Sequence, residues 1–184
     1  MPKPLPPISS FAPEQGIFIS STSKTLAPGL RLAVIHCPKA VYSALKESLY
    51  GMQIAPPALL MQLFTRLVLS GRFEEIRKLR IKDLEERNLI FDEILKDCEN
   101  TGNFHSPIRW VQLPKHFTPA QFEALALSHN LQVYGADRFI VGPEPVPNAI
   151  RVSLISTQDM DDYREGLNIL RKCLSSPDIN SLHW

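Results

Sequence analysis

The sequence predicts an α/β protein, and three observations carry that prediction. Two short β-rich runs, Ile17–Ser20 and Leu32–His36, stand near the start of the 184 residues. Apolar residues then recur at helical spacing through three successive segments between 38 and 97. After Asn103 the pattern reads strand, helix, strand, strand, helix, the order of a small α/β layer.

The elements follow in order. Residues 1–16 read as an extended, Pro-rich lead. Ser21 to Arg31, rich in Ser and Thr and carrying Pro28-Gly29, reads as a loop between two buried strands, where sites tend to be placed. Ala40, Val41, Ala44, Leu45 and Leu49 define a first helix that Gly51 should end. Pro56 and Pro57 open a second, reaching about Ser70 and stopping at Gly71, since Pro is tolerated in a first turn.

A third, long helix runs from about Arg72 to Asp97. Phe73, Ile76, Leu79, Leu84, Phe91, Ile94 and Leu95 form its apolar stripe. Its other face, with Arg77, Lys78, Arg80, Lys82 and Arg87 among Glu74, Glu75, Asp83, Glu85 and Glu86, is balanced in charge. It reads as a solvated face, not a nucleic-acid surface. Cys98–Asn103 is the best candidate break. Strands are expected at Ile108–Leu113, Leu131–Tyr134 and Ile150–Ile155, and helices at Thr118–Ser128 and Met160–Leu174. Thr118 or Pro119 should start the first of these helices; Thr157 or Asp159 should cap the second, with Asp161 and Asp162 in its first turn.

Composition narrows function more by exclusion. Net charge is +1, so no strongly basic surface points to nucleic acid. Cys37, Cys98 and Cys173 are odd in number and widely spaced, which supports neither a disulfide framework nor a zinc site. His36, His105, His116, His129 and His183 lack metal-ligand spacing. Trp110 on a strand reads as core, and Trp184 as a tail. No leader peptide or membrane-length apolar run is visible, so a cytoplasmic protein is expected.

One segment carries chemistry. Ser21-Thr-Ser-Lys-Thr-Leu-Ala-Pro-Gly-Leu-Arg31 sets a lysine among small hydroxyl residues, a few positions before an arginine. Hydroxyls, loop N–H groups and a guanidinium suit a phosphate dianion, because arginine binds two phosphate oxygens at once. An amine near fixed positive charge is the better nucleophile toward an aldehyde. Phosphate and aldehyde on one ligand describe pyridoxal 5'-phosphate (PLP). On composition alone, a solvated turn explains the segment equally well.

The segment, continuing into Leu32, resembles the lysine motif of fold-type I aminotransferases. It is most similar to the Pro-Gly-Leu-Arg version of MocR-type regulators and of the alpha-aminoadipate aminotransferase group. The resemblance implies that Lys24 forms the Schiff base with PLP, that the Ser21 hydroxyl binds the phosphate and that Arg31 is the phosphate arginine. Ala33 departs from the glycine usual two residues past that arginine. Pro56-Pro-Ala-Leu-Leu-Met-Gln62 resembles the helix start after the lysine segment. Phe73–Asp97 resembles the helix joining large and small domains. Asn148-Ala-Ile-Arg-Val-Ser153 resembles the strand bearing the arginine for the substrate α-carboxylate, which implies that role for Arg151; a structural ion pair at a strand end is the plainer reading. Gln132–Gly142, leading into Ile150-Arg-Val-Ser-Leu154, looks most like MocR-type regulators, GntR-family proteins with a winged-helix DNA-binding domain ahead of an aminotransferase-like domain.

The implied fold is the C-terminal portion of an aspartate-aminotransferase-like fold: residues 1–71 the end of the large PLP-binding domain, 72–98 the long connecting helix, 99–184 the small α/β domain. In the family the phosphate loop, the ring-stacking aromatic and the pyridine-nitrogen aspartate lie upstream of the lysine, and only 23 residues precede Lys24. A fragment with little transamination of its own is therefore expected. The implied partners are an amino-acid-like small molecule, a second copy in a homodimer, and DNA only through a winged-helix domain outside this chain, with no membrane and no metal. Three roles follow: the effector domain of a MocR-type regulator, a piece of a free-standing aminotransferase, or a fragment that retains only folding and dimer contacts.

Overall fold

The computed structural model describes residues 6–52 and 55–177. Pro2, Pro4, His183 and Trp184 lie outside them. The chain divides into two compact units, Met1–Arg80 and Ile81–Trp184.

In the first unit the described part of the lead, from residue 6, is not extended throughout. Ile8–Ser10 form a 3-10 turn, closed by the Ser10 hydroxyl donating to the Pro7 carbonyl at 2.7 Å. Two strands follow, β1 (Phe18–Ser21) and β2 (Ala33–His36), paired antiparallel with Ser21 opposite Ala33. The connection between them is structured: a single helical turn, α1 (Thr22–Thr25), then a 3-10 turn at Pro28–Leu30. Both strands lie exposed, with Ile19 62% accessible, contrary to the buried strands expected from their apolar content. The ribbon has two strands only, and no described layer covers it.

Helix α2 (Lys39–Met52) runs through Gly51 instead of ending there, because that glycine takes an ordinary helical φ. Helix α3 (Ala58–Leu69) starts after Pro57 and stops before Gly71, whose φ of +76° is left-handed and suits the residue without a side chain. Neither α2 nor α3 buries a residue. The buried apolar side chains here are Leu26, Leu30 and Leu32.

Helix α4 (Arg72–Ile94) supplies its first turns to this unit and the rest to the second. In the second unit, β4 (Ile108–Gln112) lies between β3 (Asn100–Thr101) and β6 (Ala149–Ser153), and β5 (Tyr134–Gly135) adds to the far side of β6. All pairings are antiparallel. Strand β3 thus occupies the stretch read as a break, and β5 is shorter and later than the predicted Leu131–Tyr134.

One face of this sheet carries the core. Val111, Ile150 and Val152 pack with Phe91 and Leu95, with Phe122 and Leu125 of α5 (Pro119–Ser128), and with Leu167, Leu170 and Cys173 of α6 (Met160–Leu174). Thr118 caps α5 through a capping box with Gln121. Asp159 caps α6, its Oδ1 accepting from the Asp161 and Asp162 amides at 2.7 and 3.2 Å.

Arg87 corrects the sequence reading. Placed on a solvated face, it is 3% exposed, because three acceptors pair it. Nε donates to Asp83 at 3.0 Å, and the other nitrogens donate to the Leu154 and Gln158 carbonyls at 3.0 and 3.3 Å. Leu79, assigned to the apolar stripe, is instead exposed.

Candidate functional site

Ser21, Lys24 and Arg31 fall on the single connection from β1 to β2. Ser21 caps α1: its hydroxyl oxygen accepts from the Ser23 amide at 3.1 Å, which leaves the hydroxyl proton free to donate. Thr22 anchors the connection from below, its buried hydroxyl and its amide both donating to the Leu32 carbonyl, at 2.9 and 3.0 Å. Two residues on, Lys24 is exposed and pairs with no described group.

Arg31 closes the 3-10 turn at φ 51°, ψ 33°, a left-handed backbone. For a residue with a Cβ that conformation costs on the order of 1 kcal/mol, and strain of this kind clusters where function over-determines the backbone. Its side chain is exposed and unpaired among the described residues. An exposed amine, a hydroxyl with a free proton and an unpaired guanidinium on one short connection have the donor chemistry that a phosphate and an aldehyde need.

Arg151 belongs to the second unit. Strand alternation puts it on the sheet face opposite the core, in register with Trp110 on β4 and Tyr134 on β5. Its guanidinium lies 4.8 Å from the centroid of the Phe139 ring, and Phe139 meets Trp110 edge-on at 5.4 Å. No carboxylate forms an ion pair with Arg151 among the described residues. By contrast, Arg109 is 6% exposed and fully engaged, donating to Asn88, Asn100 and Asp92 at 2.9, 3.1 and 3.1 Å.

The aromatic surround of Arg151 escaped the sequence. Trp110, assigned to the core, is half-buried on the open face and lines a cavity. The buried residues of β4 are Arg109 and Val111, and nothing in the sequence says that an arginine would face inward in place of a tryptophan.

The segment carrying Tyr134 and Phe139 is tied to α5. Arg138 donates to Glu123 at 2.8 and 2.6 Å, and Glu123 also accepts from the Gly135 amide. The Arg138 hydrogen bonds hold the Glu123 carboxyl below its ordinary range against a smaller opposing effect of burial. Burial pushes the Cys98 and Cys173 thiols up, which weakens both as nucleophiles. No cluster among the described residues has the make-up of a metal site. No helix among them is long and apolar enough to cross a membrane.

This architecture is a portion of the fold-type I aminotransferase fold. The chain superposes on the alpha-aminoadipate aminotransferase LysN of Thermus thermophilus, solved with N-(5'-phosphopyridoxyl)-L-leucine, with a TM-score of 0.73 at 24% identity, over 91% of this chain and 44% of that one. It matches the kynurenine aminotransferase of Pyrococcus horikoshii with a TM-score of 0.76 at 19% identity, over 86% and 40% of the two chains.

In sequence it is similar to an uncharacterized HTH-type transcriptional regulator, YdeF, of Bacillus subtilis (strain 168): 36% identity over 171 residues, 93% of this chain and 37% of that protein. It is also similar to the 2-aminoadipate transaminase of Thermus thermophilus, at 28% identity over 179 residues, 92% and 44% of the two. The chain spans about two fifths of the length of these relatives. No family model matches it.

Proposed function

We infer that this chain is part of the PLP-binding, amino-acid-sensing domain of a MocR-type regulator of the GntR family. The observation that carries this reading is the similarity of nearly the whole chain to an HTH-type transcriptional regulator, with Ser21, Lys24 and Arg31 held on one connection. DNA would be bound by a winged-helix domain elsewhere in the polypeptide, which would work as a homodimer in the cytoplasm.

The residues here fit PLP by their chemistry. Lys24 would hold the cofactor covalently through its amine; the Ser21 hydroxyl and the Arg31 guanidinium would hold its phosphate. The cofactor, when bound, supplies an aldehyde that engages an amino group and a ring that withdraws electrons. Arg151, without an ion-pair partner among the described residues and backed by Phe139, would receive the carboxylate of an amino-acid-like ligand. In a regulator such a ligand acts by binding one conformation more tightly than another.

The second reading, a portion of a free-standing aminotransferase, is favoured by the similarity to 2-aminoadipate transaminase. The polypeptide encoded ahead of this segment separates the two: a winged-helix module supports the regulator, an aminotransferase start the enzyme. The cofactor assignment is tested by incubating the protein with PLP, reducing with borohydride and mapping the tagged peptide. Label on Lys24, lost in Lys24→Ala, is expected; label spread over other lysines and unchanged in Lys24→Ala overturns it.

A further inference from the structure

The open face of the four-stranded sheet holds a second feature beside Arg151. A cavity of about 360 Å3 is lined by Trp110, Phe139 and four smaller apolar residues, together with Glu99, Asn100, Thr101 and Gln112. That volume lies within the range of small-molecule sites. Phe139 is shared: one contact of its ring is with the Arg151 guanidinium, another with Trp110. Cationic head and apolar cavity thus lie one aromatic ring apart. A carboxylate needs the first; a bulky hydrocarbon tail gains by leaving water for the second.

We propose that this cavity is the side-chain pocket for the ligand whose carboxylate Arg151 holds, and that it selects carboxylates with a bulky apolar tail, aromatic or branched. The proposal rests on the role given to Arg151 above. It adds to it that specificity comes from the sheet face of this unit, with Trp110 and Phe139 as the determining contacts. Tails that end in a carboxylate are disfavoured, because the Glu99 carboxylate lines the cavity and repels like charge.

The test uses the full 184-residue chain and needs no cofactor. Replacing Trp184 by Phe leaves Trp110 as the sole tryptophan, since the sequence has two. Its fluorescence then reports binding of three probes: 3-phenylpropionate, acetate and 3-phenylpropan-1-ol. We expect 3-phenylpropionate to bind at least about tenfold more tightly than acetate. Thr101→Phe and Gln112→Phe, at two exposed positions lining the cavity, should each fill it and erase that advantage while leaving acetate unchanged. Arg151→Gln should weaken both acids and spare the alcohol.

Equal binding of the two acids, or an advantage that survives both filling variants, overturns the pocket while leaving Arg151 its role. Acids that bind Arg151→Gln as well as the parent chain overturn the role of Arg151, and with it the proposal. Circular dichroism of each variant shows whether it is folded; should one filling variant fail to fold, the other decides.

Discussion

The guanidinium of Arg151 sits 4.8 Å from the ring centroid of Phe139 and has no carboxylate partner among the described residues. Arg109, one position away from Arg151's cross-strand neighbour Trp110, is its opposite, buried beneath the sheet and hydrogen-bonded by three side chains. The two arginines should respond differently to the same change. Arg109→Gln leaves the Oδ1 of the fully buried Asn88 without its donor and should cost about 2 kcal/mol or more. Arg151→Gln loses a ring contact and should cost at most about 1 kcal/mol. Urea denaturation of both variants checks this; equal losses would show that Arg151 is a structural residue.

Arg31 offers a trade between stability and binding. Its left-handed backbone suits glycine better than arginine. Arg31→Gly should therefore leave the protein as stable or firmer by up to about 1 kcal/mol, the relieved strain being offset in part by the greater freedom of glycine in the unfolded chain. The same variant should bind PLP at least about tenfold more weakly, since one charge-assisted phosphate contact is gone. Thermal denaturation and a PLP titration followed by absorbance measure the two effects on one sample.

Much of the architecture was legible in the sequence because it obeys local rules. Thr118 or Pro119, Thr157 or Asp159, and Gly71 marked helix ends by capping chemistry and backbone freedom, and helical spacing located α2 to α4. What was not legible depends on tertiary pairing. Arg87 and Arg109 are buried because distant carbonyls and amides reach them, and Trp110 is displaced to the open face as a result. The site divides the same way. Lys24, Ser21 and Arg31 follow a contiguous pattern, whereas Phe139 meets Arg151 across a largely irregular stretch that no periodicity describes.

The clamp between Glu123 and Arg138 should give stability an acid limb. The hydrogen bonds from Arg138 lower the Glu123 carboxyl in the folded state, so the carboxylate form is favoured there. A lowered folded value contributes stability fully present above the ordinary glutamate value of about 4.3, and lost as pH falls through the lowered one. Glu123→Gln should be less stable than the parent at pH 7, and the gap should narrow below about pH 4. Melting curves across pH 3 to 7, roughly the window these values define, would show it; a gap that stays constant with pH would mean that the charge of Glu123 is immaterial.

The burial pattern along the chain has a consequence for how amide protons leave it. Everything that Phe91, Ile150 and Leu170 shield lies beyond Ile81, while β1, β2, α2 and α3 face solvent on most of their surface. Protection against exchange into heavy water follows burial and local contact density, not helicity as such. Helix α4 therefore joins a fast-exchanging end to a slow-exchanging one, and the step between them falls inside one continuous run of helical hydrogen bonds.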